Sequence, residues 1–195
     1  MRIKIYKTIF IILLIGAIIT IMLIITQYKQ NLINEEQNKE VIDTFSKIDE
    51  EDSKQLTLNG YNVIGTIEIP KINIKYPILE VENPSPESTK TPMKYSIIKY
   101  WGGKVNEYGN LSIAGHNKYD GTMFGKTKNL NIGEIIKLED LEKNVIDYEI
   151  YDKFVTNPND TSILLTKDIK IREVTLITCT RGNKERLIIK AKQKI

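Results

Sequence analysis

Two side chains in this chain suit nucleophilic and acid–base chemistry near neutral pH, and each type occurs once: the thiol of Cys179 and the imidazole of His116. A thiol attacks a carbonyl as its thiolate, and a free cysteine ionises only around pH 8.5. A neighbouring imidazole or guanidinium favours the ionised form or takes the proton. The tetrahedral intermediate then needs a donor for its oxyanion, which a guanidinium supplies without titrating. Two arginines follow the thiol closely, Arg181 and Arg186, in the stretch "TLITCTRGNKER". Cys, His and Arg are therefore a sufficient set for acyl transfer, provided the fold brings them together. Taken singly, each has a plainer reading. A lone Cys serves as a small buried hydrophobe, a lone His as a surface residue, and an Arg at a strand end as a solvated cation. One Cys and one His also fall short of the three or four clustered ligands of a zinc site, so no metal site is expected.

The segments that must position these groups read as strands, rich in β-branched and aromatic residues and bounded by Gly and Asn. In "EVTLITCT", Val174 and Leu176 share one face while Thr175, Ile177 and Cys179 share the other. With the first face in the core, Cys179 lines an outer groove. In "RLIIKAKQ", Leu187, Ile189 and Ala191 take one face and Arg186 the opposite one, whereas Arg181 falls in the turn "TRGNKE". "GNLSIAGHN" reads as a strand running into His116. "VIGTIEI", "GEIIKLED" and "NVIDYEIYDKFVT" are further strands, and "IKYPILEV" is one whose Pro77 points to an edge position or a bulge. "NPSPESTKTP" is a loop leading into one helical turn around Met93–Ile98. Seven or eight such strands from Asn59 onward imply a mainly β barrel or sandwich with few helices.

The N-terminal part is of another kind. Residues 9–26, "IFIILLIGAIITIMLIIT", carry no charge and as a helix reach roughly 27 Å, about a hydrocarbon core. Arg2, Lys4 and Lys7 precede them, so the positive-inside bias puts residues 1–8 in the cytoplasm and the remainder outside. No small-x-small cleavage site follows in "TQYKQN", which favours an uncleaved signal-anchor over a removed signal peptide. Residues 27–58 are polar and acidic with Val41, Ile42, Phe45 and Ile48 at helical spacing, a partly helical stalk whose apolar stripe can dock on the next domain. A single Cys in an exported chain has no intrachain disulfide partner, which favours a reactive thiol or an intermolecular bond. Net charge is only +3, too weak a balance to argue for nucleic acid, and hydrophobic residues at 41% suffice for a packed core.

"TLITC" followed by "RLIIKA", with "AGHN" upstream, resembles the sortase family of Gram-positive bacteria. That family has a TLxTC motif on one strand, an arginine opening the next, and a His in an (A/G)H context. "IGTIEIPKINIKYPILE" resembles the opening strands of a sortase, and "GTMFGKTKNLNIGEIIKL" the segment after the His. The resemblance covers residues 59–195 and implies a closed eight-stranded barrel with short helices, tethered by one transmembrane helix. It also implies a membrane-bound cysteine transpeptidase with Cys179 as nucleophile, His116 as acid/base, and Arg186 rather than Arg181 stabilising the oxyanion. Ala114, Ile177 and Thr178 are candidate substrate contacts, with Asn117 a weaker site candidate. The implied partners are exported proteins with an LPxTG-like C-terminal sorting signal and an amine of a lipid II-type peptidoglycan precursor. The chemistry calls for no metal or organic cofactor. Glu68, Glu80 and Glu82 are scattered acids to which no calcium site of the class A kind is assigned, and the length before the Cys strand is short for class B. The compact chain with one anchor is class D-like, while "AGHNKYDGTMFG" is class B-like. The loops Asn83–Pro92 and Asn157–Lys167 are candidates for reading the substrate. Two readings compete: a thiol peptidase or amidase that passes the acyl group to water, and a non-catalytic anchored binding module.

Overall fold

The computed structural model describes residues 2–166, 168–180 and 182–194. Two compact units divide the chain, Met1–Gln37 and Asn38–Ile195. The first consists of helix α1 (Arg2–Lys47) up to Gln37. Its apolar part has a mean hydropathy of 3.1 over its best 18 residues, none of them buried, and is long and apolar enough to cross a membrane. Long β-branched and Leu side chains with no Gly or Pro break beyond Gly16 keep it helical.

The last turns of α1 belong to the second unit. Here the stripe read from the sequence is covered: Phe45 is buried in an apolar cluster, with Val41 packed against it. The Lys143 ammonium sits 3.6 Å over the Phe45 ring and also donates to the Phe45 carbonyl. Asn38 Nδ2 donates to the Tyr95 carbonyl at 2.7 Å. A short helix α2 (Glu50–Ser53) follows, capped by Asp49, whose carboxylate accepts from the Asp52 N–H.

Nine strands follow: β1 (Thr57–Leu58), β2 (Tyr61–Ile69), β3 (Ile74–Leu79), β4 (Ile97–Trp101), β5 (Gly109–Ala114), β6 (Ile135–Asp140), β7 (Val145–Thr156), β8 (Arg172–Thr180) and β9 (Glu185–Gln193). Their order is β1-β2-β3-β4-β5-β8-β9-β7-β6, and β6 pairs back onto β2. Strands β2 to β9 thus close an eight-stranded barrel, with β1 as a short addition to β2. Closure needs a bulge in β2 between Val63 and Gly65. Gly65 has φ +150° there, and a Cβ would come within 2.5 Å of the Glu139 carbonyl oxygen.

Strand parity sorts the side chains into two layers. Ile113, Leu176 and Ile189 stand in one register row and fill the barrel interior with Ile67, Ile97 and Leu138. The next row, Ala114, Ile177 and Ile188, faces the other way and is covered by Phe45, Val63 and Ile163. The face that carries Cys179 is therefore roofed over most of β8 and opens only at the strand end. Each fully buried Ile in these layers contributes roughly 2–3 kcal/mol.

Three local expectations sharpen. The helical turn read around residues 93–98 is present but shorter and earlier. One 3₁₀ turn spans Pro92–Lys94, and Ile97 and Ile98 then pair with β3 and β5 as strand β4. Two β-branched residues flanked by partners on both sides are held by ladder bonds that outweigh a single turn. Pro77 is not in the bulge but lies at a local edge, where β3 has a neighbour on one side only. It faces Thr66 on β2, and β4 joins β3 only from Ile78 on, so its missing N–H interrupts nothing on that side. Strand β5 stops at Ala114, so His116 lies just past its end rather than within it.

Candidate functional site

The parallel pairing of β5 with β8 is what gathers the chemistry. Adjacent parallel strands deliver their C-terminal ends to the same side of the barrel, here after a crossover through β6 and β7. Every β5 residue meets the β8 residue 63 positions on, Ala114 meeting Ile177. The Thr178 hydroxyl donates to the Gly115 carbonyl one step further on, and His116 follows directly after Gly115. β9 then returns antiparallel from the hairpin, and Arg186 is the direct register partner of Cys179. On its other side Arg186 pairs with Thr156 at the end of β7. Register partners present their side chains on one face, with strands about 4.8 Å apart. Thr156, Arg186 and Cys179 thus form one row across the mouth of the barrel, and the segment carrying His116 is tied beside it by Asn117 Nδ2, which donates to the Cys179 carbonyl at 2.8 Å.

Cys179 is half-buried and free of any disulfide. Arg186 is half-buried too, and its guanidinium Nη1 donates to the carbonyls of Asn183 and Glu185, both at 3.2 Å. Those acceptors lie in its own hairpin, so the guanidinium can turn toward an oxygen above Cys179 without unmaking the sheet. His116 is exposed, yet its pKa is lowered, first by desolvation where the loop crowds the ring and then by the Lys118 ammonium. The imidazole is therefore mainly neutral at pH 7, able to accept a proton from a thiol and to return it to an amine. Arg181, the other candidate guanidinium, lies outside the described residues, as does Lys167 at the end of the second candidate loop.

The local sequence explains how tightly this end is built. Gly115 precedes His116, and a Cβ there would come within 2.8 Å of both Ile97 Cγ2 and Phe124 Cδ2. Only glycine lets the chain leave β5 this close to the core. Beyond it the Phe124 N–H donates to the His116 carbonyl at 3.0 Å. The Met123 N–H donates to the buried Tyr76 hydroxyl, also at 3.0 Å. Ala114, Ile177 and Thr178 are nearly wholly covered, at 6%, 8% and 4% exposure, and the Thr178 hydroxyl donates to the Gly115 carbonyl at 2.7 Å. They form the floor beneath the row rather than its open surface.

A flank was invisible in the sequence. The Thr156 hydroxyl donates to Asp160 Oδ2 at 2.6 Å, and the Ser162 N–H and hydroxyl donate to Asp160 Oδ1. These bonds, those of Ser162 foremost, hold the Asp160 carboxyl below its ordinary pKa. Buried Asn110 Nδ2 then donates to the carbonyls of Ile163 and Leu164. The loop after β7 is thereby fixed beside the row. Asn117 is more closely involved than its sequence context suggested: its Nδ2 donates to the Cys179 carbonyl at 2.8 Å. The loop Asn83–Pro92 is knit by Ser85 and Ser88 to itself and to the Asn83 carbonyl. Among the described residues no group of three or more His, Cys, Asp and Glu is arranged to hold a metal ion.

Residues 67–194 match the family described as Sortase domain. The fold is similar to that of the Sortase D5 transpeptidase of Clostridium perfringens, at 30% identity and a TM-score of 0.65, over 84% of this chain and 99% of that one. It is also similar to Streptococcus pneumoniae Sortase C, at 20% identity and a TM-score of 0.64, over 82% and 97% of the two chains. A third similar structure is Clostridium perfringens sortase C with the C-terminal cell wall sorting motif, at 23% identity and a TM-score of 0.59, over 83% and 90%. The latter two likenesses speak to the fold alone. No curated relative matches the sequence.

Proposed function

The chain belongs to the sortase family, and from that premise we propose that it is a cysteine transpeptidase that joins exported proteins to the cell wall. The observation that supports this reading is the pairing of Cys179 directly with Arg186, with the residue after His116 bonded to the Cys179 carbonyl. Cys179 Sγ, as thiolate, attacks the carbonyl carbon of a Thr–Gly type bond in a C-terminal sorting signal. Arg186 faces the oxyanion of the tetrahedral intermediate. As that intermediate collapses, the C–N bond breaks and His116 gives the leaving amine the proton it took from the thiol. The acyl group is left as a thioester on Cys179. An amine of a peptidoglycan precursor then attacks the thioester, His116 takes its proton, the C–S bond breaks, and the thiolate returns. Ala114, Ile177 and Thr178 act as the floor under the acyl chain, and the loops at 83–92 and 157–166 as walls.

The apolar helix is the membrane anchor in this reading, with Arg2, Lys4 and Lys7 on the cytoplasmic side and the barrel outside. Mass spectrometry of the full chain in detergent, incubated with a sorting-peptide library, tests the proposal. A thioester adduct on Cys179 is expected, absent in Cys179→Ala and His116→Ala and reduced in Arg186→Ala. No adduct with any peptide would sink the reading. Adducts that survive Arg186→Ala and vanish in Arg181→Ala would move the oxyanion role to the turn. With an amine acceptor added, transfer is expected, and hydrolysis alone would make the chain a peptidase.

A further inference from the structure

The main-chain ladder between β5 and β8 ends one residue short of the chemistry. Its last rung is the Gly115 N–H donating to the Ile177 carbonyl at 3.1 Å. Beyond that point two side chains continue the ladder. The Thr178 hydroxyl donates to the Gly115 carbonyl at 2.7 Å, and Asn117 Nδ2 donates to the Cys179 carbonyl at 2.8 Å. These two bonds bracket His116 in sequence, and the second ends on the residue that carries the thiol. On its far side the segment is already pinned. The Phe124 N–H donates to the His116 carbonyl, and Asn117 forms a β-bridge with Met123, whose own N–H donates to the Tyr76 hydroxyl.

Asn117 itself is exposed. A hydrogen bond open to water adds little to folding, because water replaces it readily. This one has a different consequence. Without it, His116 is tied to the strand that bears Cys179 on its N-terminal side only, through Gly115, and not beyond the imidazole. We propose that Asn117 is a positioning residue that holds the His116 loop in register with Cys179, so that imidazole and thiol stay within proton-transfer range. This rests on the reading of Cys179 and His116 as the reacting pair. The residue type suits such a role. A carboxamide offers an N–H to a carbonyl oxygen, whereas the isosteric carboxylate of Asp offers only acceptors against an acceptor.

The test uses the full chain in detergent and two readouts, thioester formation with a sorting peptide and Cys179 alkylation by iodoacetamide. Asn117→Ala should lower the turnover number of thioester formation roughly 10- to 100-fold, as expected when reacting groups lose their alignment, with KM within about two-fold. Asn117→Asp should be no better than Asn117→Ala, and Asn117→Gln should recover part of the rate. In a His116→Ala background, adding Asn117→Ala should change alkylation by less than about two-fold, because a residue that acts through His116 has nothing left to align. Wild-type turnover in Asn117→Ala, a loss confined to KM, full activity in Asn117→Asp, or additive losses in the double variant would each overturn the positioning role. The underlying reading fails separately: if His116→Ala alkylates at the wild-type rate, Cys179 and His116 are not a pair.

Discussion

Strand β8 begins with Arg172 and nearly ends with Cys179, and the two ends of the barrel it joins use polar groups in opposite ways. At the Arg172 end the groups satisfy one another. Buried Asn106 donates through Nδ2 to Asp140 Oδ2 and the Asn144 carbonyl, and its Oδ1 accepts from the Tyr148 hydroxyl. Arg172 Nε donates to the Asn106 carbonyl at 2.6 Å, Nη1 to Gln193 Oε1 at 2.9 Å, and the guanidinium lies 4.0 Å over the Tyr108 ring. Burial pushes the Tyr148 hydroxyl above its ordinary pKa, so it stays a neutral donor. A cleft of about 850 Å³ lies here, lined by Lys99, Lys104, Glu107, Asp140 and Arg172 among others, and holds neither thiol nor imidazole. At the Cys179 end, Arg186 reaches only carbonyls of its own hairpin through one nitrogen. The same side chain is a structural tie at one end and an adjustable donor at the other. What decides is how far along the chain its partners lie: Asn106 and Gln193 for Arg172, residues of its own hairpin for Arg186.

Exchanging the losses at the two ends breaks that contrast most sharply. Arg186→Ala should lower the rate of thioester formation about 10²- to 10³-fold, the usual cost of an oxyanion donor, with thermal unfolding moved only slightly. Arg172→Ala should do the reverse. It leaves the Asn106 carbonyl and Gln193 without their donor and should cost about 2–4 kcal/mol of stability, with the rate per folded molecule preserved. Parallel thermal melts and adduct kinetics on both variants check this, and a common loss of activity and stability in both would erase the distinction.

A smaller change within the closed end sharpens it. Tyr148→Phe keeps the ring in the barrel interior but removes the donor to Asn106 Oδ1. It should cost about 1–2 kcal/mol in chemical unfolding and leave adduct formation unchanged.

The smallest effect belongs to the open end. Lys118→Gln removes the second cause of the lowered His116 pKa while desolvation stays. The His116 midpoint should rise at low salt, and rise less at high salt. With one histidine in the chain, its ring resonance titrates without overlap in NMR. Native His116 binds a proton less readily than the unfolded residue, so acidification through about pH 6.5 and below favours the unfolded chain. Lys118→Gln should weaken that acid sensitivity, and an unchanged or falling midpoint would remove Lys118 from the account.

Much of this was legible in the sequence because it is local. Period-two alternation in "EVTLITCT" placed Val174 and Leu176 inside and Cys179 on the opposite face, and the barrel has them so. The turn after Cys179 and the strand carrying Arg186 follow from Gly182 and Asn183, both at positive φ, ahead of "RLIIKA". The run from 9 to 26 announced its helix by having no charge. What local pattern could not supply is partner choice. Ile97 and Ile98 look helical or extended with equal ease until β3 and β5 stand on either side. Nothing in "AGHN" says that the strand before it lies parallel to one 63 residues on, or that Asn117 reaches the Cys179 carbonyl. Propensity and periodicity act between residues a few positions apart, so they determined strands, faces and the stock of reactive groups. Register between distant strands is set by the packing of both barrel layers at once, and only that set Arg186 opposite Cys179 and brought Asn117, next to His116, to the Cys179 carbonyl.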